Sequence, residues 1–591
     1  MNTAEYIVKK LEELGITEVF GLAGDYNFNI LYAIEKNPNT KWIGCTNELN
    51  AGYAADGYAR VKGYGALLTT FGVGELSAIN AVAGAMAENI PLIHIVGTPS
   101  TKAIDKKILL HHNLQNANYK AFINAYENLV AATAFLTRDN AKMEIDRVFK
   151  TLVKEKQPIY IAVPMDIAQM EISDKYVSCD WESNKETLTE VGIKISEKIN
   201  SAKKPIIIGD SLIKRFDAKI EYKEFVEKSM IPATNFLMGT NLIDMDYEKF
   251  LGGYFGEIRN PIAHKYIKDT DCLIAVGPIY SDLNSFGFGI PHNLNDHIAI
   301  YGNYTYINGK RYDDVKMSDV LNVVTNQIKP KDVKIDRPNI GYKYKTKENE
   351  PLNSDYIYPR IQEFFKENDI VIADTGTVAH GLALTKFPEN AQVEFQSLWG
   401  SIGWATPAAL GANLAKPNSR VVLLTGEGAH QITAMEIGSM LRYGIKPIII
   451  VLNNKGYTTE RLLSKEDCSF NDIVQINYTK FARTFVGDIW ATKTETTEDF
   501  DKALKVTQIM NKLCYIEVCT ESMDAPKLIK ELIEYLKNKQ EKIIKQKSVH
   551  KEEDKYDFKS LKTNYSNSEY ETVVHKGFNY SISENEGAQN E

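Results

Sequence analysis

Short apolar runs recur along this chain with helical patterns between them, at 66–71, 92–96, 159–163, 205–208, 272–276, 370–373, 421–424 and 447–452. None alternates apolar with polar residues, as a strand with one wet face does. Each therefore reads as a strand buried on both faces, the habit of parallel sheets covered by helices. Strands of this kind alternating with helices predict α/β layers.

The 591 residues are too many for one core, since a domain takes roughly 100–200. Two polar stretches with little to bury, 174–187 and 329–353, read as linkers. They predict three α/β domains over about 1–180, 188–330 and 354–545. Beyond them, 546–591 is rich in Lys, Glu, Asn, Ser and Tyr without an apolar period. That composition predicts a disordered tail.

Hydrophobic content of 44% and charged content of 25% are those of a soluble globular protein. A formal net charge of −8 excludes a general nucleic-acid-binding surface. No run of about 18 apolar residues suggests a membrane span. The six cysteines form no Cys-x-x-Cys pair, so free buried thiols are expected rather than a zinc cluster or a disulfide framework. Residues 1–5 lack the basic-then-apolar layout of a secretory signal. Ile7, Leu11 and Leu14 repeat instead at helical spacing, with Gly15 placed as a C-terminal cap. A reducing, cytoplasmic setting is expected.

The chemistry begins at Thr425-Gly426-Glu427-Gly428. A strand runs into glycine, acid, glycine, and 429–441 reads as a helix. Glycines allow close backbone approach to an anion, and a helix N-terminus favours phosphate. Alone the signal is weak. Among 37 glycines, Gly63-Tyr64-Gly65 and Gly72-Val73-Gly74 have the same spacing. It sharpens one strand–helix–strand crossover later, where a second strand ends in Asn453-Asn454-Lys455-Gly456. Neighbouring parallel strands open on one edge, where ligands bind. There Glu427, the Asn454 amide and the Gly456 carbonyl offer the hard oxygen ligands of a Mg²⁺–diphosphate site.

Glycine–acid–glycine followed by Asn-Asn at this interval resembles the motif of thiamine diphosphate enzymes. Glu427 stands where Asp is usual, and Ala429 where these decarboxylases commonly carry Ser. The run from Asn47-Glu48 to Ala59-Arg60 resembles the complementary half of the site, as does Thr69-Thr70-Phe71-Gly72-Val73-Gly74-Glu75. A lone Glu at a helix start normally offsets the helix dipole. The resemblance implies instead that Glu48 hydrogen-bonds the aminopyrimidine and selects the tautomer that removes the cofactor's C2 proton.

Further matches narrow the group to 2-oxo acid decarboxylases of the pyruvate/indolepyruvate type. Gly24-Asp25-Tyr26 resembles the loop with the catalytic Asp, and His111-His112 the paired histidines. Taken alone, a His-His pair is more often a surface feature. The segment at Tyr457-Thr458-Thr459-Glu460 resembles the one supplying a second carboxylate, Glu460. Thr70 and the segment at Thr377 look like aminopyrimidine contacts, and Gly400 lies in the segment whose apolar residue, Ile402, supports the bent cofactor. Core packing is the alternative for Ile402.

The resemblance implies three doubly wound parallel-sheet domains and a cofactor pair of thiamine diphosphate and Mg²⁺. It places the active sites between subunits of a homodimer or homotetramer, under a C-terminal helix at 525–544. A carboligase of the acetolactate synthase type, or an inactive member serving as a scaffold, are the alternatives. Phe288, Thr375 and Ala379 resemble pyruvate decarboxylases, whereas His380 and Thr459 stand where relatives place apolar residues. The sequence leaves open pyruvate, indolepyruvate, and other aromatic or branched 2-oxo acids.

Overall fold

The computed structural model describes residues 1–538 except 174, 176, 348, 465–467 and 536. The tail 546–591 and the end of the expected C-terminal helix lie outside the described residues. The chain forms two units, Met1–Ile533 and Glu534–Glu591. A helix begins at 527 in the first, and the described residues of the second are helical.

Three sheets carry the first unit. The first holds six strands in spatial order Lys41–Gly44, Glu18–Gly21, Gly65–Thr70, Leu92–Thr98, Ile159–Pro164 and Ala132–Phe135. All its pairings are parallel. The last sheet repeats that order with Gln392–Phe395, Ile370–Ala373, Val421–Gly426, Ile448–Asn453, Leu513–Cys519 and Ile489–Thr494. It too is all parallel. Central strands such as Ile448–Asn453 are buried throughout, as their unbroken apolar runs require. Each large aliphatic side chain so buried contributes about 1.5–3 kcal/mol.

The middle sheet departs from the parallel expectation at one edge. Phe250–Gly253, Ala233–Asn235, Pro205–Gly209, Cys272–Val276 and Ile298–Ile300 are parallel neighbours. Tyr304–Ile307 and Lys310–Asp313 then close the edge as an antiparallel hairpin. Its two-residue turn is Asn308-Gly309, both with positive φ (51° and 79°). Asn-Gly is the usual sequence for such a turn.

The helix Glu48–Lys62 explains how the first and last sheets meet. Asn47 caps it, accepting from the Asn50 N–H, and Gly63 ends it at φ 103°. Residues 50–60 are buried on every side, because the first sheet covers one face and the helix Ala405–Ala415 the other. The backbones nearly touch at that second contact. A Cβ on Gly411 would lie 1.8 Å from the Ala54 carbonyl oxygen, and one on Gly57 2.3 Å from that of Ala408. The small-residue sequence is therefore a requirement of packing.

A buried ionic cluster closes the junction of all three sheets. Arg60 pairs with Asp56 (2.6 Å), Glu88 (2.8 Å) and Glu394 (3.7 Å). From the short helix Leu212–Arg215, which follows strand Pro205–Gly209 of the middle sheet, Arg215 and Lys214 reach Glu394 at 2.7 and 3.6 Å. Burial would raise the Glu394 carboxyl, but Arg215, Lys214 and Arg60 hold it down at about 2. Trp404 donates its indole N–H to Asp56 and lies against the Arg60 guanidinium.

The expected helix 429–441 is two helices, Glu427–Thr433 and Glu436–Arg442. Thr433 donates to the Gly403 carbonyl (2.6 Å). The chain then turns so that Glu436 faces the first sheet, accepting from Thr46 Oγ1 (2.6 Å) and Asn50 Nδ2 (2.9 Å). The stretch expected as a linker at 174–187 already contains the start of helix Lys185–Ser201, capped by Asn184. Among the described residues of 329–353 the one pairing is an isolated bridge, Pro351 to Thr496. Among the described residues no helix is long and apolar enough to cross a membrane.

Candidate functional site

In both six-stranded sheets the strand order reverses beside the first strand of the set, and there the crevice opens at the strand ends. The first crevice lies between Glu18–Gly21 and Gly65–Thr70. Thr70 ends the second of these strands, Asp25 and Gly74 lie just beyond the two, and Glu48 starts the helix after Lys41–Gly44. Glu48 Oε1 lies 3.2 Å from where a Cβ on Gly74 would be, with Thr70 Cγ2 at 3.0 Å. The Thr70 hydroxyl is buried without a hydrogen-bond partner. An unpaired buried hydroxyl beside a carboxylate marks a place prepared for a polar ligand.

Asp25, His111 and His112 gather at the rim. His111 Nε2 is 3.0 Å from Asp25 Oδ2, and one ligand atom from each residue falls within 4.8 Å of the others. Tyr26 is buried beneath them, its hydroxyl 3.3 Å from His111 Nδ1. Burial and the Asp25 charge push that phenol up to about 12. His112 is held at φ 66°, and Gly72, φ 65°, sits so close that a Cβ there would be 1.9 Å from the His112 carbonyl oxygen.

Glu75, behind this turn, accepts from the Gly72 N–H (2.6 Å) and from the Tyr160 hydroxyl (2.6 Å). Burial raises its carboxyl to about 7. Sequence reasoning passed over Glu75 as a member of a run. Its signal was an acid among small and apolar residues.

The second crevice lies between Ile370–Ala373 and Val421–Gly426, and its lining comes from the last sheet. Glu427 is almost wholly buried and accepts from the Gly456 N–H at 2.7 Å. Burial raises its carboxyl to about 7, against the pull of that N–H. Among the described residues no cation pairs with it within salt-bridge distance. Asn454 is buried beside it. Gly426 has φ −78°, and a Cβ there would meet nothing within 4 Å. Gly400, φ 66°, is equally open. Space left empty on Gly426, next to the buried Glu427 carboxylate, suits a bulky anion bridged to a cation. Glu427, Asn454 and the Gly456 carbonyl thus fit a hard divalent ion, and Gly426, Gly428 and Ala429 at the helix start fit a diphosphate.

Two residues unnoticed in the sequence hold this crevice in shape. Asp374, fully buried and raised to about 7 by that burial, accepts from Thr425 Oγ1 (2.7 Å) and the Gly403 N–H (3.1 Å). It ties the strand end to the loop carrying Gly400 and Ile402. Arg461 donates to the carbonyls of Asn454 (3.2 Å), Lys455 (2.8 Å) and Ser522 (3.3 Å). It fixes the Asn454–Gly456 turn to the helix Thr458–Leu463, on which Glu460 is exposed. Thr377 begins a short helix, where His380 Nδ1 donates to the Gly376 carbonyl (2.8 Å). Its Nε2 is buried with no hydrogen-bond partner among the described residues.

Among the described residues, no hydrogen bond, ion pair or ring contact joins Asp25, Glu48, Thr70, His111 or His112 to Thr377, Gly400, Ile402, Glu427, Asn454 or Glu460. The two crevices of one chain thus stand apart. Exposed apolar side chains rim both, Val73 and Leu76 at the first, Ile402, Ile432 and Met435 at the second.

Three regions match the thiamine pyrophosphate enzyme family: its N-terminal TPP binding domain at 1–122, its central domain at 193–326 and its C-terminal TPP binding domain at 374–518. The chain is 34% identical over 545 residues to a pyruvate decarboxylase of Candida glabrata, covering 89% of this chain and 96% of that one. It is similar, also at 34% identity and with the same coverage, to a pyruvate decarboxylase of Kluyveromyces lactis and to pyruvate decarboxylase isozyme 2 of Saccharomyces cerevisiae.

Proposed function

We propose, for a chain that belongs to the thiamine-diphosphate-dependent 2-oxo acid decarboxylase family, that it converts pyruvate to acetaldehyde and CO₂ with Mg²⁺ as its metal. The family makes it a carboxy-lyase. The observation that carries the metal and cofactor assignment is Glu427, a buried carboxylate with no cation within salt-bridge distance among the described residues, beside Asn454 and the open Gly426.

Thiamine diphosphate, when bound, supplies the electron sink for loss of CO₂. Glu427, Asn454 and the Gly456 carbonyl would hold the metal against the diphosphate, which Gly426, Gly428 and Ala429 admit. Thr70, Thr377 and Gly400 would contact the pyrimidine half, with Ile402 as its apolar support. Glu48 would hold the proton at the pyrimidine ring nitrogen. Asp25, His111, His112 and Glu460 would bind the substrate carboxylate and move the protons of decarboxylation and aldehyde release.

We infer further that the active unit is at least a homodimer, each crevice of one chain completed by the other kind from a second chain. The separation of the half-sites and their apolar rims support this. Six free cysteines, four of them buried, suit a reducing cytoplasmic setting.

The test is turnover of pyruvate, indolepyruvate, phenylpyruvate and branched 2-oxo acids by the purified chain with thiamine diphosphate and Mg²⁺. Aldehyde and CO₂ in equal amounts from pyruvate are expected. Acetolactate as the main product would make it a carboligase, and no turnover of any acid would make it an inactive scaffold.

A further inference from the structure

The trio at the rim of the first crevice has a property beyond proton handling. Two imidazoles and one carboxylate converge, one ligand atom from each lying within 4.8 Å of the other two. Around a tetrahedral Zn²⁺, bonds of about 2.0–2.2 Å put ligand atoms about 3.3–3.5 Å apart. The pair His111 Nε2 and Asp25 Oδ2, at 3.0 Å, already stands near that spacing, and rotation of exposed side chains brings His112 to it. The two imidazole planes meet at 82° with centroids 4.5 Å apart, so they fan around a point rather than stack.

The surroundings are those of a ligating histidine. Metal-bound histidines use the second ring nitrogen in a hydrogen bond that fixes tautomer and orientation. Here Tyr26 OH lies 3.3 Å from His111 Nδ1, and the phenol is buried and so held in place. His112 is fixed by its backbone, since its carbonyl is clamped against Gly72. The three side chains are themselves exposed, His111 and Asp25 by about half, which leaves a fourth position for water or an anion.

We propose that Asp25, His111 and His112 form a second metal site, for a borderline transition ion such as Zn²⁺, Ni²⁺ or Cu²⁺, distinct from the Mg²⁺ set. Imidazole selects these ions, whereas the all-oxygen set at Glu427, Asn454 and Gly456 selects hard ones. Occupancy removes from use a carboxylate and both histidines assigned to proton transfer, so the ion acts as a reversible inhibitor. The inhibitory consequence rests on the function proposed above; the binding does not.

The experiment separates the two. Full-length chain in excess Mg²⁺ is titrated with Zn²⁺ against a chromophoric chelator, and decarboxylation is followed in parallel. One site per chain is expected, weakened at least about tenfold by Asp25→Asn, His111→Gln or His112→Gln and about tenfold by Tyr26→Phe. Glu427→Gln is expected to bind Zn²⁺ as the parent does. Unchanged affinity in both histidine variants, or loss in Glu427→Gln, overturns the proposal. X-ray absorption at the zinc edge of the parent protein decides independently of how any variant folds. Two imidazole ligands support the site, and fewer than two refute it. Zinc bound in this way without loss of decarboxylation would leave the site standing and refute the roles given to the trio.

Discussion

Gly411→Ala is expected to force apart the two helices on which the junction of the first and last sheets depends. The added methyl would stand 1.8 Å from the Ala54 carbonyl oxygen and 2.7 Å from the Tyr58 nitrogen. Carbon–oxygen contacts settle at about 3.3 Å, so the helices Glu48–Lys62 and Ala405–Ala415 must separate locally by about 1.5 Å. Both obstacles are backbone, and no side chain can swing away. Overpacking of this kind costs about 1–3 kcal/mol or more. Alanine's better helix propensity, about 1 kcal/mol, offsets part of it. The gap also loosens the contacts of Trp404 with Asp56 and Arg60. A net loss of about 2 kcal/mol is expected, read as a lower guanidinium midpoint by tryptophan fluorescence. Because Glu48 begins one of the helices and the Gly400–Ile402 loop leads into the other, weaker thiamine diphosphate binding should accompany it. A midpoint within about 0.5 kcal/mol of the parent would show that the helix pair yields freely and that the two glycines are not a packing requirement.

Gly426→Ala should do the opposite, leaving the melting temperature within about 1 °C because its methyl meets nothing, yet lowering thiamine diphosphate affinity in calorimetry; unchanged affinity would remove the diphosphate from this glycine. Glu48→Gln should keep cofactor binding and lose most turnover, and a parent rate would dismiss its role. Glu427→Ala should weaken metal and cofactor together, since each raises the other's affinity, and equal thiamine diphosphate affinity with and without EDTA would discard the metal site. Glu75, whose folded carboxyl lies near 7 against an ordinary 4.5, favours the neutral acid in the fold. Its contribution is full below pH 4.5 and lost by about pH 7, amounting to about 3 kcal/mol. The stability difference between parent and Glu75→Gln should therefore change over that window, and a constant difference would refute the assignment.

The architecture was legible because buried parallel strands leave unbroken apolar runs. Glycine, acid and amide at strand ends pointed to the Glu427 crevice, whereas Asp25, Glu48, His111 and His112 stood out only through the family resemblance. The hairpin at the middle sheet's edge leaves no unbroken apolar run, because its strands are only partly buried, and Asn308-Gly309 is its one local signal. The break between Thr433 and Glu436 was not legible. It follows from a hydrogen bond to Gly403 and from the pull of Thr46 and Asn50, partners more than 380 residues away along the chain. The roles of Asp374 and Arg461 were not legible either, since Asp374 joins Thr425 to Gly403, and Arg461 gathers the Asn454 and Lys455 carbonyls with that of Ser522.

The ionic cluster at Arg60 limits how such a protein can be recombined. Glu394 comes from the last domain, Arg60 from the first, and Lys214 and Arg215 from the middle one. A middle domain transplanted from a homologue without a cation at position 215 would leave the Glu394 carboxylate short of a counter-charge in a dry interior, costing several kcal/mol. Chimeras that exchange that domain alone should therefore fail unless the partner acid is changed with it. Domain shuffling in this architecture is constrained to matched sets, with the charge at one border dictating the side chain permitted at another.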